Sequence, residues 1–415
     1  MGRWTHRAGA DLDWSVQANY DHFTRVEVGP RIKNDTFNLD FGARWRASPH
    51  HELNVGLTGR LSHDDVQGSS LLFFDKPVAT DRWISGYVQD DISLIPNRLR
   101  LTLGSKFEYN NFTGFEAQPS AKLFYRISPA LAVWGGASRA VLTPSRIERH
   151  GQGMLTLSNA GTAQASSGMD ETTYVRLEGV RHLKSERLVA LELGARAQFD
   201  RNWSLDLSVY ANHYDRLLTM EPIGFEPIYV PFVPFPVGSI IIANVANNGE
   251  LDSRGVEVLL TGRLTPFWKV DFNYSEIHFS NMLPVARPPI ISNIGMTEIG
   301  AANVQPEAQN GGAKLWIFPD YSPKHQVGFR NMLDIGDKIS IDTHVRYVAS
   351  LVNGRVPDYV SLDARLSYRP TETIELSLVG TNLNTKKRQE YLHPLIPVPD
   401  SYTPRVVSMQ ARVRF

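Results

Sequence analysis

The sequence predicts an all-β protein, an antiparallel transmembrane β-barrel formed by residues 1–415 as a single domain, from three observations. Period-two alternation of apolar and polar residues recurs along the whole chain. Many of the alternating runs reach a dozen residues, whereas strands of soluble proteins average five or six. The connections between runs alternate between tight turns and long excursions, the rim asymmetry of membrane barrels.

The alternation is clearest near the end. Val407, Met409, Ala411, Val413 and Phe415 share one face, and Ser408, Gln410, Arg412 and Arg414 share the other. Ile339, Ile341, Thr343, Val345 and Tyr347 oppose Ser340, Asp342, His344 and Arg346. Val360, Leu362, Ala364, Leu366 and Tyr368 oppose Ser361, Asp363, Arg365 and Ser367. Successive side chains of a strand point to opposite faces, so each run has one apolar and one charged face. A helix would need apolar spacings of three and four, which these runs lack.

About sixteen strands follow from this pattern. They are expected near 11–22, 35–48, 50–63, 81–94, 98–110, 116–128, 130–139, 184–200, 202–216, 243–264, 267–280, 322–334, 338–349, 358–369, 372–383 and 403–415. Tight turns are expected at Ala47–His50, Ile95–Asn97, Ser128–Pro129, Asp200–Asn202, Thr265–Pro266, Gly336–Asp337 and Arg369–Glu372, rich in residues that preset φ or bond their own backbone. Long loops are expected at 64–80, 140–183, 217–242, 281–321 and 384–402, with short ones near 111–115 and 350–357. A strand crossing hydrocarbon at a tilt needs about 9–11 residues. Trp4, Trp14, Trp45, Trp83, Trp203, Trp268, Tyr347 and Tyr368 lie near strand ends and are expected in interfacial girdles. Lipid offers no partner for backbone N–H and C=O groups, so such a sheet is expected to close on itself.

Composition narrows the alternatives. The 415 residues contain no cysteine, so disulfide frameworks and thiolate metal sites are excluded. Lys plus Arg and Asp plus Glu number 43 each, for a formal net charge of zero, and no field attracts nucleic acid. No apolar run approaches the roughly 18 residues of a membrane helix. Met1-Gly2-Arg3-Trp4 does not begin a signal peptide, so the export signal is expected outside this sequence. No cofactor, metal or catalytic residue is expected. His50-His51-Glu52 lacks the spacing of a helical zinc site. Gly151-Gln152-Gly153 begins a glycine fingerprint, but Thr156 departs from it. No nucleophile–base–orienter set is visible, so the protein is not read as an enzyme.

Several segments, taken in order, resemble the TonB-dependent outer-membrane receptor family. Ser85-Gly86-Tyr87-Val88-Gln89-Asp90-Asp91 resembles its aromatic-Val-Gln-Asp strand, and Leu101–Tyr109 and Pro119–Leu123 resemble the two strands that follow. Ala137-Ser138-Arg139-Ala140-Val141-Leu142-Thr143-Pro144-Ser145 is similar to its Ser-Arg-Ala-Phe-Arg-Thr-Pro stretch, with departures at Val141 and Leu142. Asn248-Gly249, Arg254-Gly255-Val256-Glu257, Pro323-Lys324-His325 and Asn382-Leu383 resemble further family elements. The resemblance implies a barrel of about 22 strands around a plug. Against that count the sequence would hold the C-terminal barrel portion, with signal peptide, TonB box, plug and about six strands lying outside it. It also implies energised uptake of a scarce nutrient, a ferric siderophore foremost, across the bacterial outer membrane, with TonB, outer-membrane lipid and the barrel-assembly machinery as partners.

Within that frame, Val407, Met409, Ala411, Val413 and Phe415 are expected to form the signal read by the assembly machinery, since a strand edge with alternate side chains can be captured by pairing. Candidate ligand contacts are Arg146, Arg149 and His150 with Arg176 and Arg181 in loop 140–183, and Phe225, Tyr229, Phe232 and Phe235 among the prolines of loop 217–242. Guanidinium suits anionic chelates, and rigid aromatics supply contact area at little entropic cost. Asp342, Arg346, Asp363, Arg365, Arg412 and Arg414 are expected as charge ladders on the lumen wall. Two other readings of the chain are a passive porin-like pore and a truncated receptor fragment without function.

Overall fold

The computed structural model describes residues 1–26, 30–69, 72–157, 172–229, 231–232, 234, 238–284, 314–315, 321–392 and 401–414. One sheet holds twenty-one strands, and a separate hairpin pairs β21 (Lys387–Gln389) with β22 (Tyr402–Pro404). Seventeen of the twenty-one run as consecutive antiparallel neighbours. In order they are β1 (Gly2–Arg7), β2 (Leu12–Val26), β3 (Arg31–Ser48), β4 (His51–Gln67), β6 (Val78–Ile95), β7 (Leu99–Asn110), β8 (Gly114–Ser128), β9 (Leu131–Leu142), β12 (Glu186–Gln198), β13 (Trp203–Ile228), β14 (Gly238–Thr265), β15 (Trp268–Pro284), β17 (His325–Ile335), β18 (Ile339–Val348), β19 (Tyr359–Tyr368), β20 (Ile374–Thr381) and β23 (Val406–Val413). Four short strands, β5 (Leu72–Phe74), β10 (Gly151–Leu157), β11 (Thr172–Glu178) and β16 (Lys314–Leu315), extend the sheet at one end.

Each of the sixteen expected strands is present, and the tight turns fall where the sequence places them. Among the described residues the count of wall strands is nevertheless seventeen, because β1 pairs with β2 through Gly2↔Ala18 to Arg7↔Asp13. Its six residues are too few for the alternation to stand out. The difference from a barrel of about 22 strands is then five rather than six. Among the described residues no ladder joins β1 to β23.

Register fixes the two faces. Phe37, Leu39, Phe41 and Trp45 of β3 lie on the apolar face with Leu61, Gly59, Leu57 and Leu53 of β4 as their partners. The apolar side chains are the exposed ones. On β20, Leu376 and Leu378 are each 45% exposed, while Glu375 and Ser377 between them are 8% and 6% exposed. A water-soluble sheet would bury the leucines; a wall facing hydrocarbon exposes them.

Trp83 departs from expectation. It pairs with Arg60 on the polar face, and the Arg60 guanidinium carbon stands 6.0 Å from its ring centroid. Its parity is that of Ser85, Gln89 and Asp91, the polar set of its own strand, so nearness to a strand end does not by itself place an aromatic on the apolar face. The other expected girdle residues fall on the apolar face; Trp4 and Trp14 meet edge to face at 4.6 Å.

Where side chains of the polar face must pass a neighbouring strand, glycine makes room. A Cβ on Gly56 would lie 2.2 Å from the Tyr87 ring, and one on Gly255 would lie 2.4 Å from the Glu276 carbonyl oxygen. Glycines in strands mark such close approaches.

Candidate functional site

At the end of the sheet opposite the tight turns, the expected loops acquire structure of their own. Residues 217–242, expected as a loop, are largely strand: β13 runs on to Ile228 and β14 begins at Gly238. The prolines suggested a loop, but Pro222 sits beside a register shift and Pro227 near the tip, where a missing N–H is tolerated. Bulges between Tyr214 and Thr219 bend the hairpin, with Arg216 at φ 56°. The Asn247 amide holds that bend, donating to the Arg216 and Lys184 carbonyls at 2.8 and 3.0 Å and accepting from the Lys184 N–H. Above it Leu183, Leu218 and Val245 form a small buried core with Leu177 and Val180 packed against it.

Loop 140–183 becomes a strap. Ser145 caps the short helix α1 (Arg146–His150), and Glu148 bonds back to the Ser145 N–H at 2.6 Å, a capping box. β10 then pairs with β5 on one side and β11 on the other, and β11 runs parallel to the distal part of β14. The ladder β5–β10–β11–β14 therefore links the β4–β6 connection to the β13–β14 hairpin past four intervening wall strands, β7, β8, β9 and β12. Gly151 and Gly179 allow the close approach: the Gly179 N–H donates to the Gly151 carbonyl at 2.8 Å, and a Cβ on Gly179 would lie 2.8 Å from the His150 nitrogen.

The cationic candidates converge here. Arg149 donates to Asp81 at 3.0 Å and stacks over the Phe112 ring with its guanidinium carbon 3.9 Å from the centroid. Phe112 meets Trp83 edge to face at 5.4 Å, so a stack runs from the strap through the β7–β8 turn to Arg60 on the wall. Arg146 pairs with Asp64 and donates to the Pro77 carbonyl at 2.7 Å. Burial, with the charge of Arg149 beside it, pushes the Arg146 guanidinium down to about 10. His150 and Arg181 both engage Asp75, at 2.8 and 2.6 Å. Burial pushes the Asp75 carboxyl up, but the hydrogen bonds and charges of Arg181 and His150 outweigh it and hold it below the usual carboxylate range. Arg176 grips Glu226 with two bonds of 3.0 Å, tying β11 to the β13 tip.

Sequence reading therefore found the cations but not their acidic partners Asp64, Asp75, Asp81 and Glu226. The capping box Ser145-x-x-Glu148 was a legible signal of α1. Of the aromatic candidates, Tyr229 is 63% exposed and Phe232 fully exposed at the hairpin tip. Phe225 lies within β13, opposite Ile241, and Phe235 lies outside the described residues.

The polar face of the wall carries the expected ladders. Arg346 meets Asp363 at 3.5 Å, and Arg365 and Arg369 both reach Glu375. Asp342 stands opposite Arg365 in register, and Arg412 opposite Glu375. Elsewhere Asp13 joins Arg7 and Arg44, each at 3.1 Å, and Arg187 meets Asp215 at 2.5 Å. The Arg414 N–H donates to the Thr373 carbonyl, while Val407, Met409, Ala411 and Val413 line the apolar face of β23; Phe415 lies outside the described residues. Among the described residues no group of three or more His, Asp or Glu side chains is placed to hold a metal ion.

Residues 2–383 match the family described as TonB dependent receptor-like, beta-barrel. No curated protein matches the chain by sequence. Among solved structures, a mutant ferric enterobactin receptor from Pseudomonas aeruginosa superposes with a TM-score of 0.67 at 15% identity, covering 99% of this chain and 60% of that one. The siderophore receptor PirA from Acinetobacter baumannii gives 0.63 at 14% identity, covering 97% and 59%. A copper transporter, OprC, gives 0.63 at 14% identity, covering 100% and 66%. The chain spans about three fifths of the length of the first two of these proteins.

Proposed function

The chain belongs to the TonB-dependent receptor-like β-barrel family, and from that premise we propose that it is the wall of a bacterial outer-membrane transporter for a scarce nutrient, a ferric siderophore foremost. The observation that carries the membrane reading is the inverted burial of the strands: exposed leucines alternate with buried Glu375 and Ser377. An aqueous lumen lined by ion pairs and a lipid-facing exterior account for both halves of that pattern. The preference for a chelated metal draws on the siderophore receptors among similar folds and on the cationic strap, since guanidinium groups match anionic chelates. The likeness to a copper transporter keeps the nutrient class broader than iron.

In the whole receptor, energised uptake would need TonB, and assembly would need the barrel-assembly machinery to capture β23. Met409 is 86% and Val407 59% exposed on that strand, a free apolar row suited to edge pairing. Phe415→Ala is expected to lower the amount of folded protein in isolated outer membranes several-fold, with the precursor accumulating in the periplasm. Equal amounts of folded protein in variant and wild type would remove the signal role.

Uptake is tested by complementing a strain that lacks the intact parent gene. Accumulation of 55Fe supplied as siderophore complexes should return with the gene. If no iron or copper complex accumulates while the protein sits folded in the membrane, the transporter reading fails. Stable, wide conductance steps in planar bilayers would instead favour the passive pore.

A further inference from the structure

The strap formed by α1, β10 and β11 crosses the mouth on the lumen side of the wall. Arg146 and Arg149 reach Asp64 of β4 and Asp81 of β6, which share the polar face with Arg60 and Trp83. At the far end β11 pairs with Gly238 to Asn244 of β14, and Arg176 holds Glu226 of β13. The strap is therefore a chord, and it cuts off the arc of wall made by β7, β8, β9 and β12. Polar-face residues of that arc near the mouth are covered: Asn110 is 1% and Glu116 8% exposed. Nearer the tight turns the same face is open, with Ser120 and Ser138 exposed and opposite each other. Among the described residues the strap thus roofs a bay of the lumen without filling it.

Segments that swing open carry few buried apolar contacts and many solvent-exposed hydrogen bonds. The strap is built the other way. Among the described residues, nine of the twelve buried apolar side chains belong to it or to the strand ends it joins, including Val66, Ala79, Val175, Leu183, Leu218 and Val245. Main-chain ladders bind it on both edges, to β5 and to β14. The Arg149 side chain that anchors α1 to the wall is itself buried. Moving the strap aside would break both ladders, open the small core under Val180 and Leu183, and part Arg149 from Asp81 at the same time.

We propose that the strap is a fixed roof, and that it confines the passage of nutrient to the remaining arc of the lumen, lined by β15, β17 to β20, β23 and β1 to β3. The bay under β7, β8, β9 and β12 is then closed from the loop side and takes no part in entry. Residues that select the nutrient at the mouth belong to the open arc, and the paired arginines of α1 serve the roof. The proposal rests on the reading of the sheet as the wall of a transporter, and is independent of which nutrient is carried.

The chain has no cysteine, so single cysteines report access directly. Ser120→Cys lies beneath the roof, and Asn19→Cys lies on the polar face of β2 outside it. On intact cells, a poly(ethylene glycol) maleimide too large for general porins should label the Ser120→Cys variant at least tenfold more slowly than the Asn19→Cys variant. Adding Arg149→Met to Ser120→Cys should remove most of that difference. Arg176→Gln, at the more exposed end of the strap, is the milder opening variant where Arg149→Met lowers the amount of folded protein. Equal labelling at the two positions, or no acceleration by either opening variant, would overturn the roof. Fixity is read by hydrogen exchange on the unmodified protein: the ladder amides of β10 and β11 should exchange as slowly as those of β12. Exchange at least tenfold faster than in β12 would make the strap a moving cover and overturn its fixity. Neither measurement reads transport, so their failure leaves the uptake experiment standing, and a failure of uptake leaves these results standing.

Discussion

Arg149 illustrates how a residue that reads as a ligand contact becomes a structural tie. Its side chain is 7% exposed, and it holds Asp81 while covering Phe112. Removing one member of a buried ion pair leaves the other charge desolvated, at a cost of about 3–5 kcal/mol. Arg149→Met is therefore expected to release the strap, seen as faster trypsin cleavage within 172–184 while the wall stays intact; unchanged cleavage would mean the pair does not hold it. Asp75 adds a pH dependence. Its carboxyl is held below the unfolded value, so its contribution is present above about pH 4 and lost as pH falls through the lower folded value. Hydrogen exchange across α1 should accelerate only below that range, and Asp75→Asn should make the exchange less sensitive to acid. At the β7–β8 turn the buried Asn110 carbonyl accepts from the Phe112 and Thr113 N–H groups at 3.1 and 2.7 Å, so this short turn is fixed by a single side chain.

Strands of this wall are specified by which residues fit on the polar face as much as by alternation. At Gly255 a Cβ would meet both the Tyr210 hydroxyl, at 2.3 Å, and the Glu276 carbonyl of the next strand, at 2.4 Å. A backbone atom cannot step aside as a flexible side chain can. Gly255→Ala is expected to destabilise the wall by about 1–3 kcal/mol through overpacking, measured as a lower urea midpoint for unfolding in detergent. Gly42, where nothing lies within 4 Å of a Cβ, is the matched comparison and should tolerate alanine. β13 and β14 show the other side of strand specification. The long hairpin continues where prolines suggest a loop, because Ile240, Ile241 and Ile242 pair with Glu226, Phe225 and Gly224 and the register shifts absorb the irregular residues.

Taken whole, the molecule is organised by one apolar belt. On β3 it extends from Phe37 to Trp45. Eight steps at about 3.3 Å span about 26 Å along the strand, and a tilt of about 40° reduces this to about 20 Å, close to the ~25 Å band of outer-membrane barrels. Position on the belt should then decide the effect of a charge. Leu57, 53% exposed on the apolar face, faces the middle of it. Leu57→Arg should cost about 2–4 kcal/mol on folding into bilayers, while Ser85→Arg, on the polar face opposite Glu108 in register, should cost less than about 1 kcal/mol. Equal costs from urea titrations in liposomes would contradict the assignment of the faces. The ladder β5–β10–β11–β14 acts at this same scale, since it joins wall strands that are not neighbours.

The alternation of residues such as Val345 and Leu362 with Arg346 and Asp363 determined by itself that this chain is a two-faced wall, where its strands lie and on which end its turns are tight. Strand periodicity is local, so it survives in one dimension. The tertiary structure alone decided the partners. Asp75 meets Arg181 and Asp81 meets Arg149 across many tens of residues, and Trp83 meets Arg60 because the β4–β6 register, set between strands, places the two opposite each other. Such pairings depend on how far one strand slides past another, a quantity fixed by packing along the whole ladder rather than by either segment.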